Sequence, residues 1–193
     1  DLLGFHRGTS NIGWSDVPAL DRHVWVAAAD PPWMRGGTYL VARRIRIALE
    51  SWSAVSLAEQ EAAVGRSRGS GAPLSGGGLH SRPDLDATAA HGALKIPSGA
   101  HIRIASPAAN GGDRILRRGF TFSDGVDPLT GELDAGTFFI AFQQDPARQF
   151  GDMLRRLVAS DALHRYLVHS SSGVYAVPRG LERGERWGQL LLG

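Results

Sequence analysis

Along "GTYLVARRIRIAL" (37–49), Tyr39 and Val41 stand against Leu40, and Ile45 and Ile47 stand against Arg44 and Arg46. Side chains of a strand point to opposite faces in turn, so this period of two predicts a half-buried strand. "RHVWVAAA" (22–29) predicts an earlier one, and further strands are predicted at 101–105, 115–122, 136–142 ("GTFFIAF") and 173–178 ("GVYAVP"). "DPLTGELD" (127–134) has the residues of the turn between the 115–122 and 136–142 strands.

The period changes at "SLAEQEAAVG" (56–65), which reads as a short helix. Ser56 and Glu59 have capping-box spacing, and Gly65 stands where a left-handed cap belongs. A second helix starts at Asp145-Pro146, with Phe150, Met153, Leu154, Leu157 and Val158 at helical spacing. A shorter helical piece is predicted from Asp161 to Leu167. Between the first helix and the 101–105 strand, residues 66–99 are rich in Gly, Ser, Pro, Asp and Ala, and loops of this length are usually functional or mobile. Strands and helices alternate irregularly without an internal repeat. That predicts an α+β domain with an antiparallel sheet and helices packed on one face.

Composition narrows the function classes. The 193 residues make one sizeable domain or two small ones, 42% apolar and 21% charged, as in ordinary globular proteins. No apolar run reaches the roughly eighteen residues of a membrane span. The opening "DLLGF" carries no initiator Met, basic region or apolar leader, so the chain is expected to start inside a larger protein. The absence of cysteine excludes disulfides, zinc–thiolate sites and a cysteine nucleophile. Net charge is +2, Lys95 is the single lysine, and the arginines are spread along the chain, which argues against a nucleic-acid partner.

Candidate chemistry centres on "SGAHIRIASPAANGGDRILRRGF" (98–120). His101 is a candidate metal or haem-iron ligand, and such a ligand needs an acceptor for its other ring N–H. Asp161 and Asp145 are the two candidates for that acceptor, although Asp161 in "SDALHRY" also reads as a plain helix cap. Arg117 and Arg118, adjacent on a predicted strand, point to opposite faces, so one can enter a cavity and stabilise developing negative charge. His80, Asp84, Asp86 and His91 could bind a divalent metal, but their spacing matches no standard site and turn formation explains the carboxylates. There is no GxSxG and no P-loop.

In order, these segments resemble the C-terminal half of the dye-decolorizing (DyP-type) haem peroxidases, and most of all the exported deferrochelatase/peroxidase branch. "LLGFHRGTSN" (2–11) is similar to the family's GFxDGT segment, "VGRSRGSGAPL" (64–74) to its GR…GAPL loop, and "PDLDA" (83–87) to its acidic stretch. "AHIRIASP" (100–107), "ILRRGF" (115–120), "GTFFIAFQQDPARQF" (136–150) and "SDALHRYLVHSSSGVYAVPRG" (160–180) continue the match. The resemblance implies a half of the DyP-type dimeric α+β barrel: a ferredoxin-like, haem b-binding C-terminal domain over 1–193, without the N-terminal ferredoxin-like half. A separate N-terminal half or a homo-oligomer is then expected to complete it.

The same resemblance implies His101 as proximal iron ligand, Asp161 as its carboxylate partner and Arg117 as the distal arginine. Arg66 becomes a candidate for a haem propionate, and Phe120 or Phe122 a wall of the distal pocket. H2O2 and an organic electron donor such as a dye become the expected reactants, with Trp187, Trp52 and Tyr166 as candidate electron-transfer residues. The location implied is periplasmic or extracellular. One position departs from the pattern: Arg7 stands where the family has the aspartate expected to accept a proton from peroxide. Arginine cannot accept that proton, and beside Arg117 it would set two cations together. His6 could act as a base, but on an extended segment it would point the other way. Haem binding with impaired or altered peroxidase activity is expected, and haem or iron handling with little turnover is the alternative. A truncated domain that has lost haem altogether is the third.

Overall fold

The computed structural model describes residues 1–27 and 31–192. Its elements are α1 (Val17–His23), β1 (Thr38–Ile47), α2 (Leu49–Ser53), α3 (Leu57–Val64), α4 (His101–Ile104), β2 (Leu116–Val126), β3 (Leu133–Gln143), α5 (Asp152–Ser160), β4 (Leu167–Val177) and α6 (Gln189–Leu192). The four strands form one antiparallel sheet in the order β2-β3-β1-β4. From β1 onward the order β-α-β-β-α-β, with β4 and β1 adjacent, is the ferredoxin-like arrangement.

Register sorts the side chains of the sheet into two faces. On the first, Arg117, Ala141 and Val41 share a row, Gly119, Phe139 and Arg43 share the next, and Thr121, Thr137, Ile45 and His169 share a third. Met153, Leu157 and Phe150 pack on this face against Ile115, Ala141 and Phe139. Helix α4 lies between α3 and α5 in the same layer. The second face carries Phe120, Phe138 and Arg44 in one row and Phe122, Gly136 and Arg46 in the next. Helix α1 covers one end of it, packing Leu20 and Val24 with Leu116 and Phe142. Phe120, Phe138 and Tyr175, by contrast, remain 42–56% exposed.

Two predicted strands are helical or irregular instead. Residues 22–23 close α1, 24–27 are irregular, and 28–29 lie outside the described residues. Asp16 caps the Ala19 N–H, Pro18 suits the first turn, and Leu20 and Val24 meet the core four residues apart. That combination overrides the β preference of "VWV". The 101–105 segment is helix α4. Its Ile102 packs on Gly65, His101 turns to Asp161, and Arg103 reaches back to the carbonyls of Leu85, Ile96 and Pro97. Three consecutive residues serving three directions fit a helical turn and not a two-faced strand.

The other predicted elements form with two changes: the helical piece expected over 161–167 is a single 3-10 turn, His164–Tyr166, and the last strand begins at Leu167, six residues before the expected start. Ser56 and Glu59 make the reciprocal capping box, and Gly65 ends α3 at φ +91°. Asp145 caps the later helix, although its first six residues, Pro146–Gly151, wind as a π-turn before α5 continues.

Candidate functional site

The site is built around His101, at the start of α4, and Asp161, which ends α5. The Asp161 N–H still bonds the Leu157 carbonyl while its backbone turns extended, which sends its side chain inward. Its Oδ1 accepts from the Leu163 N–H at 2.9 Å, and its Oδ2 accepts from His101 Nδ1 at 2.6 Å. The Asp161 side chain is 2% exposed, whereas the His101 ring keeps 37%. A carboxylate held from two sides keeps the proton on Nδ1 and leaves Nε2 with a free lone pair, the arrangement a metal ligand needs. No described residue hydrogen-bonds that Nε2. Asp145, the other candidate acceptor, uses Oδ1 on the Ala147 and Arg148 N–H groups as a helix cap.

The second part of the site is the start of β2, latched to residues 7–11. Asn11 brackets the Arg117 backbone, donating from Nδ2 to its carbonyl at 2.9 Å and accepting from its N–H at 3.2 Å. Arg117 donates to the Thr9 carbonyl, Arg66 to the Ser10 hydroxyl and Arg114 to the Asn11 carbonyl, at 2.8, 3.1 and 3.0 Å. Ser10 sits at φ +58°, the one left-handed non-glycine among the described residues. Three guanidiniums thus close on one turn, each bonded to neutral oxygens. Burial first, then the charges of Arg114 and Arg66, lower the Arg117 pKa from its ordinary value. It stays protonated, so a half-buried cation without an acidic partner is held there.

Arg7 reaches the same sheet face further along β2. It donates to the Gly119 carbonyl at 2.8 Å and to the Thr121 hydroxyl. The cations that press on Arg117 are therefore Arg66 and Arg114, not Arg7 as the sequence suggested. His6 lies against Gly71 in the long loop. Phe120 and Phe122, expected to wall the pocket over Arg117, are on the opposite face. They are an odd number of residues from Arg117 on a regular strand, and the Arg44 guanidinium covers the Phe122 ring at 4.1 Å.

Of the other candidates, Trp52 and Tyr166 are core residues packed edge to face at 5.0 Å, while Trp187 is exposed. Asp84 accepts from the Asp86 N–H in a local turn, and the described residues contain no cluster of three metal-ligating side chains. Two residues were missed. Arg43 is buried with its Nε unbonded, and His169 has a buried, unbonded Nδ1. Burial first, then the charges of Arg43 and His164, pushes the His169 pKa down to about 4. The signal was present for Arg43, a charged residue in phase with Val41 and Ile45 on the apolar face.

The fold and this pairing define a cofactor-binding α+β domain, with a carboxylate-backed histidine and a set of buried, unpaired cations. The profile of the family described as Dyp-type peroxidase, C-terminal, matches residues 1–182. The chain belongs to this family. It is 40% identical over 196 residues to the dye-decolorizing peroxidase of Thermobifida fusca, a match that takes in all of this chain and 45% of that protein. It is 38% identical over 179 residues to the deferrochelatase of Yersinia pestis, covering 91% of this chain and 40% of that one. Among solved structures, ferric DtpA from Streptomyces lividans superposes with a TM-score of 0.90 at 41% identity, over 98% of this chain and 51% of its own. A Rhodococcus jostii DypB variant in complex with heme does so at 0.68 and 26%, over 93% and 52%. The chain spans about half the length of the relatives it matches.

A haem group fits the residues present. It needs one neutral imidazole nitrogen and partners for two acid groups. His101 Nε2 meets the first need, and the unbonded Arg43 Nε, Arg66 Nε and His169 Nδ1 suit the second.

Proposed function

We propose that the chain is the haem-binding half of a DyP-type peroxidase that uses H2O2 to oxidise dyes or other bulky electron donors. The observation that carries this reading is the His101–Asp161 pair together with a half-buried Arg117 that has no acidic partner. Haem, when bound, would supply a redox-active iron for chemistry on peroxide. His101 would hold that iron through Nε2, and Asp161, fixed by the Leu163 N–H, keeps the Nδ1 proton and the ring in place. Arg117, half-buried and without an acidic partner, would donate to an oxygen on which negative charge develops. Arg66 would offer its one unbonded nitrogen, Nε, to a propionate. The exposed second sheet face, with Phe120, Phe138 and Tyr175, is the surface that an N-terminal ferredoxin-like half or a second copy covers. We extend to this chain the exported location of the branch it resembles; among the described residues no helix is long and apolar enough to cross a membrane.

Arg7 favours a second reading. Its guanidinium, held on Gly119 and Thr121, cannot take the proton that peroxide cleavage releases, so haem or iron handling with little turnover follows. One experiment separates the two. The chain is loaded with haem, followed through the Soret band, and assayed for peroxide-dependent bleaching of an anthraquinone dye, alongside Arg117→Leu and Arg7→Asp. The peroxidase reading expects bleaching by wild type and a loss of about a hundredfold in Arg117→Leu. Bleaching by Arg7→Asp alone would establish the carrier reading. No Soret band in any of the three overturns both.

A further inference from the structure

Arg43 and His169 are neighbours on the sheet. Arg43 occupies the β1 position two residues from Ile45, which faces His169 across the β1–β4 ladder, and the register bulge lies between Arg44 and Ile45. Both therefore belong to the sheet face that carries Arg117. Arg43 is 8% exposed, with its guanidinium 5.6 Å over the Phe150 ring. It makes no ion pair with any described carboxylate. By contrast, Arg44 and Arg46, one position away on either side of Ile45, each bind two acids. The His164 ring stacks on His169 at 5.5 Å and closes the other side.

A buried cation without a counter-charge, beside a buried ring nitrogen without a partner, is an unfavourable pair in isolation. Each lacks a hydrogen bond, and their charges repel if the imidazole protonates. A single carboxylate removes both deficits: one oxygen accepts from Arg43 Nε, the other from His169 with its proton on Nδ1. Water could accept from either group but would leave the guanidinium charge unbalanced.

We propose that Arg43 and His169 form a carboxylate clamp that receives one acid group of the bound cofactor, on the opposite side of the sheet face from Arg117. This rests on the haem-binding reading and adds to it a second anchoring point, so that orientation on the sheet is set by two separated cations instead of one cluster.

The test compares haem with its dimethyl ester, in which both acid groups are blocked. Affinity of each for the full chain is read from Soret titration and tryptophan quenching, for wild type, Arg43→Met and His169→Leu. The clamp predicts that either substitution weakens free-acid haem about tenfold or more and leaves the diester affinity unchanged. Equal weakening of both ligands would mean a merely structural role and would overturn the clamp, as would no effect on either. Those outcomes leave haem binding intact, whereas a wild type that binds neither ligand removes the underlying reading and the clamp with it. If Arg43→Met does not fold, His169→Gln reads the same acid-against-ester difference.

Discussion

His101 Nδ1 donates to Asp161 Oδ2 over 2.6 Å, and the other oxygen of the same carboxylate is fixed by the Leu163 N–H. Asp161 belongs to the end of α5, so the direction of the His101 ring is set by a helix sixty residues away in sequence. In the proposed site the carboxylate would act by positioning the ring. Asp161→Asn keeps the shape and removes the charge. We expect haem affinity to fall about 10- to 100-fold, and Soret titration of the two proteins would measure it. A tenfold or smaller change in thermal midpoint-derived stability is expected alongside; unchanged haem affinity with a lower midpoint would reduce Asp161 to a helix cap.

Gly65 links the cap of α3 to α4. It sits at φ +91°, and a Cβ there would come within 2.6 Å of Ile102 Cγ1, in the residue after His101. Gly65→Ala should therefore cost stability through strain in the left-handed region and through the contact, of order 1–3 kcal/mol. It should also displace α4. Adding Ile102→Ala relieves the contact and not the backbone strain, so the double variant should recover part of the haem affinity that Gly65→Ala loses. Denaturant midpoints and Soret titrations on the three variants give the coupling.

Arg103 gathers the far end of the long loop. Its guanidinium donates to the carbonyls of Leu85, Ile96 and Pro97, and it stands two residues from His101. Arg103→Met removes these bonds while keeping most of the stem. Faster proteolytic cutting between residues 82 and 97 is expected, with the sheet still protected in hydrogen exchange. Cutting at the wild-type rate would mean that the loop is held by its own turns.

How much of this was legible in the sequence depends on how local the cause was. β1, the Ser56/Glu59 box and the Gly65 cap follow from neighbours in the chain, and the sequence reading places them correctly. The helical turn at His101 does not, because it is stabilised by partners at Gly65, Ile96 and Asp161 that only the fold brings near. Pairing of His101 with Asp161 was anticipated through the family resemblance; the residues alone left Asp145 equal to it. Alternation could have excluded Phe122 from the Arg117 face and marked Arg43 as a cation in the apolar phase. His169 had no such signal, since its burial depends on His164 stacking over it and on the bulge that sets its register.

The depressed His169 pKa fixes a direction for stability against pH. Burial, Arg43 and His164 hold it at about 4, against about 6.5 when exposed in the unfolded chain. Between those values the unfolded chain binds a proton that the folded one does not. The contribution is therefore fully present above about pH 6.5 and is lost as pH falls towards 4. His23, lowered by burial and by Arg22, acts in the same sense. Allowing for screening of a group that is only half-buried, His169 should account for about 1 kcal/mol of the loss between pH 7 and 5. Urea midpoints at the two pH values should differ less in His169→Gln than in wild type. Saturation with free-acid haem should also flatten the wild-type slope, because a carboxylate opposite Arg43 reverses the field on the imidazole and favours its proton. The diester should leave the slope as it is, and an equal flattening by both ligands would argue against a carboxylate at His169.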